Sequence, residues 1–96
     1  MEIKIVDVRY LADTSELEVK FSSGARLSIP TDSLKMLTWT GRAFIPAPRP
    51  SAEQLSNVRV WAGGYAVDFP EINQNFDIDE LLALLPAAGR SPVAAR

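Results

Sequence analysis

Carboxylates, serines and one stretch of interleaved aromatic and basic side chains are the residues of this 96-residue chain that could do chemistry. Cysteine and histidine are both absent. That removes the thiolate nucleophile, the disulfide, the Cys/His zinc cage and the imidazole base together. The serines have no relay to activate them, and no Ser-x-x-Lys pair occurs. Asn73, Asn75, Asp77 and Asp79 alternate like the first ligands of a calcium loop. Such a loop needs glycine at its sixth position and glutamate at its twelfth, which here are Ile78 and Leu84. Capping and solvation explain these polar residues better. Gly63-Gly64 lacks the lysine and hydroxyl of a phosphate loop and predicts a turn. A carboxylate pair drawn from Asp68, Glu71 and the Asp77–Glu80 group is the remaining catalytic option. No electrophile accompanies it, so the expectation is a chain that is not an enzyme and holds no metal or cofactor.

The stretch from Thr38 to Pro50 is the better candidate for function. It carries Trp39, Arg42, Phe44, Ile45 and Arg49 among Gly41, Pro46, Pro48 and Pro50. Rigid rings and planar guanidinium groups concentrate binding energy at protein interfaces, and the same types stack on nucleobases. The bland alternative is that the rings cover a sheet edge while the arginines stay wet. Trp39, Arg42, Phe44 and Arg49 are the expected partner-binding residues, with Trp61 a satellite of the same patch. Charge is segregated around them. Lys35, Arg42, Arg49 and Arg59 face only Glu53 between residues 35 and 59, whereas residues 60–89 hold five acids and no base. The formal net charge of −2 argues against a general nucleic-acid binder acting alone.

These residues need elements to hold them. Leu17, Val19 and Phe21 alternate with Glu18 and Lys20, the pattern of an antiparallel strand with one wet face. Ile3 to Leu11 precedes it as a strand, with Val6, Val8 and Tyr10 on one face and a bulge or two-sided burial near Ile5-Val6 where the parity changes. Ser22 to Ala25 predicts a hairpin turn into Arg26–Ile29, which Pro30 closes. Thr31-Asp32-Ser33, ahead of Leu34–Leu37, offers N-cap chemistry for a short helix or 3₁₀ segment. From Thr38 to Pro50 neither helix nor strand period survives the prolines. Ser51 and Gln54 form a capping box for a brief helix. Ala62-Gly63-Gly64 joins Val58–Trp61 to Tyr65–Phe69 as a hairpin, with Tyr65, Val67 and Phe69 on a common face. Asp77 caps a last helix, whose Ile78, Leu81, Leu82 and Leu85 make one apolar stripe.

The fold class these elements imply is α+β: two antiparallel hairpin or meander units forming a sheet, packed by short helices and a C-terminal helix. Residues 3–85 make a single domain, and residues 86–96 read as a flexible tail. No apolar run is long enough for a membrane helix, and the opening residues lack a signal-peptide profile. With no cysteine, the expected location is a reducing cytoplasm. Exposed sheet edges leave a homodimer through strand pairing open.

Phe21-Ser22-Ser23-Gly24 and the run Asp68-Phe69-Pro70 … Asp77-Ile78-Asp79-Glu80-Leu81-Leu82 carry a resemblance. With Leu-Ser-Ile-Pro at residues 27–30 and Pro50-Ser51-Ala52-Glu53-Gln54-Leu55 between them, the chain resembles the small bacterial domain-of-unknown-function family 2442 over Ile3 to Leu85. The resemblance implies an α+β domain, found alone or ahead of a helix-turn-helix and often beside a small toxin. It therefore implies an antitoxin-like or adaptor role with another small protein as partner. It implies no catalytic residue. With about ten residues after the last helix, no DNA-reading module is expected in this sequence. The rival readings are a nucleic-acid-binding or transcription-regulatory module and a carboxylate enzyme.

Overall fold

Period-two alternation lays down the first three strands of the computed structural model, which describes residues 2–84. β1 (Ile5–Leu11), β2 (Glu16–Phe21) and β3 (Arg26–Pro30) form an antiparallel meander in the order β1-β2-β3. Leu17, Val19 and Phe21 point into the core, and Val8, Leu27 and Ile29 join them from the flanking strands. The opposite face is wet and carries the cross-strand pair Arg9–Glu18, Nε to Oε1 at 2.7 Å. Gly24, at φ +92°, closes the β2–β3 turn by donating its N–H to the Phe21 carbonyl. The expected bulge is present. Ile5 pairs with Phe21 and Asp7 with Lys20, which leaves Val6 without an opposite residue. Ile5 and Val8 therefore both face the core. Val6, expected on the face of Val8, is instead turned outward.

A second meander follows the same logic. β6 (Arg59–Trp61), β7 (Ala66–Phe69) and β8 (Gln74–Asp77) lie in the order β6-β7-β8. The β6–β7 hairpin turns through a 3₁₀ segment at Ala62–Gly64, the place the two glycines indicate. Val67 and Phe69 are fully buried, and all four residues of β7, the central strand of this sheet, are buried. Tyr65 is not on that face. It lies just before β7, exposed, with its hydroxyl donating to Glu2 Oε1 at 2.6 Å. β8 is an additional strand, in a stretch to which the sequence patterns assign no element. Phe76 is buried with Gln74 half-buried, while Asn75 and Asp77 are exposed. Of the Asn/Asp alternation, Asn75 and Asp77 thus form the outer face of a strand, while Asn73 lies in the preceding turn and Asp79 in the first turn of the last helix.

Two short helices cover the core. α1 (Ala52–Ser56) starts at the Ser51–Gln54 capping box and buries Leu55. α2 (Ile78–Ala83) starts at the Asp77–Glu80 box and buries Leu81. Its apolar stripe is narrower than expected: Ile78 and Leu84 pack partly against the core, but Leu82 is exposed. A six-residue helix touching the core along one line can bury only one such row. Leu85 and the tail at residues 86–96 lie outside the described residues. Thr31–Ser33 is itself a 3₁₀ turn without a side-chain cap, and Leu34 beyond it is extended and buried. Leu34–Leu37 forms no helix because the chain is already straightening toward another strand.

That strand belongs to a third sheet. β4 (Leu37–Trp39) and β5 (Phe44–Pro46) pair as a two-stranded antiparallel ribbon. The α+β architecture with antiparallel sheets and a C-terminal helix is as read from sequence. The single sheet is divided into three, and the irregular arm contains this ribbon. The two meanders share one core, with β1 lying against β6. Gly64 makes that approach. A Cβ there would stand 2.9 Å from the Ile5 carbonyl oxygen and 2.9 Å from Lys4 Cβ.

Candidate functional site

The ribbon is where the expected site residues converge, and its geometry follows from two backbone bonds. The Thr40 N–H donates to the Ala43 carbonyl at 3.0 Å, and the Ala47 N–H to the Met36 carbonyl at 2.9 Å. Antiparallel pairing alternates bonded and non-bonded pairs, so Trp39↔Phe44 and Leu37↔Pro46 are non-bonded pairs whose side chains sit close together. The Trp39 and Phe44 rings lie 5.0 Å apart, tilted by 55°. Such a pair contributes about 0.5–1.5 kcal/mol beyond its buried area. Leu37, Trp39, Phe44 and Pro46 share one face of the ribbon, and all four are exposed. Thr38 and Ile45 on the other face are exposed too. Trp39 is 56% and Phe44 64% exposed, an unusual state for two contacting rings.

The four-residue tip is organised by Thr40, whose hydroxyl accepts from the Arg42 and Ala43 N–H groups and donates to the Ala43 carbonyl. Gly41 supplies the φ of +98° the tip requires. Arg42 is thereby held at the exposed end of the ribbon. Arg49 is placed elsewhere. It follows β5 and pairs with Asp32 at 3.0 Å across an open groove of about 520 Å³ that Leu34, Met36, Pro46 and Pro48 also line. Both partners are largely exposed, so the pair contributes about 0–1 kcal/mol. Trp61 is on a different sheet, opposite Ala66 at the end of β6. Among the described residues the aromatic pairs are Trp39–Phe44 and Phe69–Phe76, and Trp61 joins neither. The structure therefore brings together Trp39 and Phe44, sets Arg42 at their tip, places Arg49 in the groove that Leu37 and Pro46 line at the ribbon's base, and puts Trp61 on another sheet.

One residue that matters here carries no signal in the sequence. The Gln74 side chain accepts the Leu37 N–H at 3.2 Å and donates to the Leu37 carbonyl at 2.7 Å. A side-chain amide thus bonds one backbone residue of β4 as a neighbouring strand would, and ties the ribbon to β8. Nothing in an Asn-Gln-Asn string foretells a partner 37 residues away.

The carboxylates are arranged for structure. Asp68 is the one buried charged residue among those described, and Arg59 opposite it donates from Nε to Oδ2 at 2.9 Å, with Nη2 also 2.9 Å from that oxygen as an ion pair. The Tyr65 phenol titrates above its usual range, first because its proton is shared with Glu2 and then through slight burial and the Glu2 charge. No three acids gather to hold a metal among the described residues, and no helix there is long and apolar enough to cross a membrane. No family model, curated protein or solved structure matches the chain.

Proposed function

We propose that this protein is a non-enzymatic interaction module whose docking element is the β4–β5 ribbon. The observation that carries the reading is the Trp39–Phe44 pair, in tilted contact at 5.0 Å yet largely exposed on a ribbon whose residues are exposed on both faces. Large rings held rigid by a cross-strand partner lose little entropy on binding and bury much apolar area. Interface hot spots are built from such groups. Arg42 at the tip adds a cation with a planar, bidentate donor fork. Arg49 and Trp61 extend the surface only for a partner that reaches past the ribbon.

The resemblance of the Phe21–Gly24 and Asp68–Leu82 motifs to domain-of-unknown-function family 2442 supports a finer version. In it the chain is a bacterial, cytoplasmic, antitoxin-like or adaptor protein whose partner is another small protein. Affinity capture from nuclease-treated host lysate tests the reading, with wild-type and Trp39→Ala/Phe44→Ala baits compared by mass spectrometry. The expected result is a stoichiometric protein partner held by the wild type and lost from the variant. Equal retention on both baits overturns the proposed site. Capture that vanishes with nuclease treatment points instead to nucleic acid.

A further inference from the structure

We infer that the ribbon's apolar face, when no other partner is present, docks on a second copy of this chain in a reciprocal two-fold dimer. The inference rests on the ribbon being the docking element. It adds the occupant and the manner of contact.

The ribbon's edges are poor templates for strand addition. Pro46 gives β5 no N–H to offer at one of its outward positions. On β4 the outward N–H and carbonyl of Leu37 are already taken by Gln74. The outward backbone groups of Trp39 and Phe44 remain, but the face bearing Leu37, Trp39, Phe44 and Pro46 offers the larger contact, so recognition is mainly by side chains.

The surface beside that face is its chemical complement. An open groove of about 470 Å³ has Lys35, Leu37 and Phe44 on one bank and Asn75, Phe76 and Glu80 on the other. The first bank belongs to the basic stretch, in which neither Lys35 nor Arg42 has an acidic partner among the described residues. The second bank leads onto α2, whose outer side presents Asp79 and the exposed Leu82. A basic apolar patch and an acidic apolar patch thus border one groove. Turning a copy by 180° about an axis through that groove lays each ribbon on the other's acidic end. A self-matching surface of this kind is what an isologous interface requires.

Size favours the reciprocal form. One ribbon face of two rings, a leucine and a proline falls well short of the roughly 800 Å² per partner in a stable complex. Two-fold pairing uses each ribbon and each acidic end once, which doubles the contact without new residues.

Sedimentation velocity of the purified full chain, from low micromolar to near-millimolar concentration, tests this. The expected result is a concentration-dependent shift from 10.5 kDa to twice that mass, weakened at least about tenfold by Phe44→Ala. A Lys35→Glu/Arg42→Glu copy should stay monomeric, and so should an Asn75→Lys/Asp79→Lys copy, since each faces like charge in its own dimer. Mixed in equal amounts, the two should regain the doubled mass because both contacts are complementary again. None of these four positions lies in the core or a capping box, and circular dichroism verifies that each variant folds. A wild type that stays monomeric throughout overturns the inference, as does a mixture that fails to associate. A dimer indifferent to Phe44→Ala and to both charge reversals also overturns it, and assigns the contact to a free strand edge such as β3. Loss of a foreign partner on the Trp39→Ala/Phe44→Ala bait, with a monomeric wild type, retains the proposed function and rejects only the dimer.

Discussion

β7 and the β4–β5 ribbon are built from similar material and end in opposite states. Ala66-Val67-Asp68-Phe69 is enclosed at every position, whereas Leu37-Thr38-Trp39 and Phe44-Ile45-Pro46 are exposed at every position. Strand propensity does not separate them, since both hold aromatic and β-branched residues. Neighbours do. β7 has a strand on each side and the shared core beneath it. The ribbon has its own hairpin partner and one glutamine. A lone two-stranded ribbon is marginal in water, so this one is held in place by a tether rather than by burial. Its apolar surface remains available to something else.

Substitutions break or sharpen that contrast. The largest effect is expected at Leu81, which is fully buried: Leu81→Asp should abolish the cooperative thermal transition in circular dichroism, because a carboxylate there is buried unpaired. Leu82→Asp, one residue on and exposed, should melt almost as the wild type does, and equal damage from both would mean that α2 is seated differently. Gly64→Ala comes next. Its positive φ and the 2.9 Å approach to Ile5 and Lys4 predict a loss of about 2 kcal/mol in urea unfolding. Gln74→Ala should lower global stability by about 1 kcal/mol or less while raising hydrogen exchange at the ribbon amides of Thr38 and Ile45 by about tenfold. Unchanged exchange there would show that the ribbon needs no tether. Phe44→Ala should lower the unfolding free energy measured in urea by no more than about 1 kcal/mol, since Phe44 is largely exposed and loses chiefly its contact with Trp39. A larger loss would show the ribbon to be part of the core. The smallest effect is at Tyr65. In a Tyr10→Phe background its absorbance titration should fall above the ordinary phenol range and return toward it in Glu2→Ala. Because its pKa is raised, that contact favours the folded state below the ordinary phenol value and fades as pH rises through the folded one.

The fold was legible where period and punctuation agree. Leu17-Val19-Phe21, the bulge at Val6, the glycine turn before β7 and both capping boxes are local patterns, and the chain obeys them. β8 was legible in principle: Ile72, Gln74, Phe76 and Ile78 alternate inward against Asn73, Asn75, Asp77 and Asp79. A polar glutamine at an inward position hid the period, and the acids drew attention to ligation. The ribbon was hidden by its prolines, which are compatible with a strand only because β5 is an edge. Trp39, Phe44 and Arg42 could be chosen by type, yet the contact of the two rings depends on a register that three-residue strands do not announce. The places of Arg49 and Trp61, like the grip of Gln74 on Leu37, are matters of tertiary distance.

Where the N-terminal segment ends up has a consequence for how the molecule comes into being. β1 packs against β6 and β7, Glu2 meets Tyr65, and Lys4 bonds Ser22 through its backbone N–H. The β1–β3 meander can close early during synthesis from nearby contacts, but the elements that cover β1 (α1, β6 and β7) come only from residues 52–69. Pairings this distant in the chain slow the search for the native state. A half-made chain on the ribosome therefore shows its greasy side for most of its elongation, a period in which a chaperone or a sister chain has first access to it.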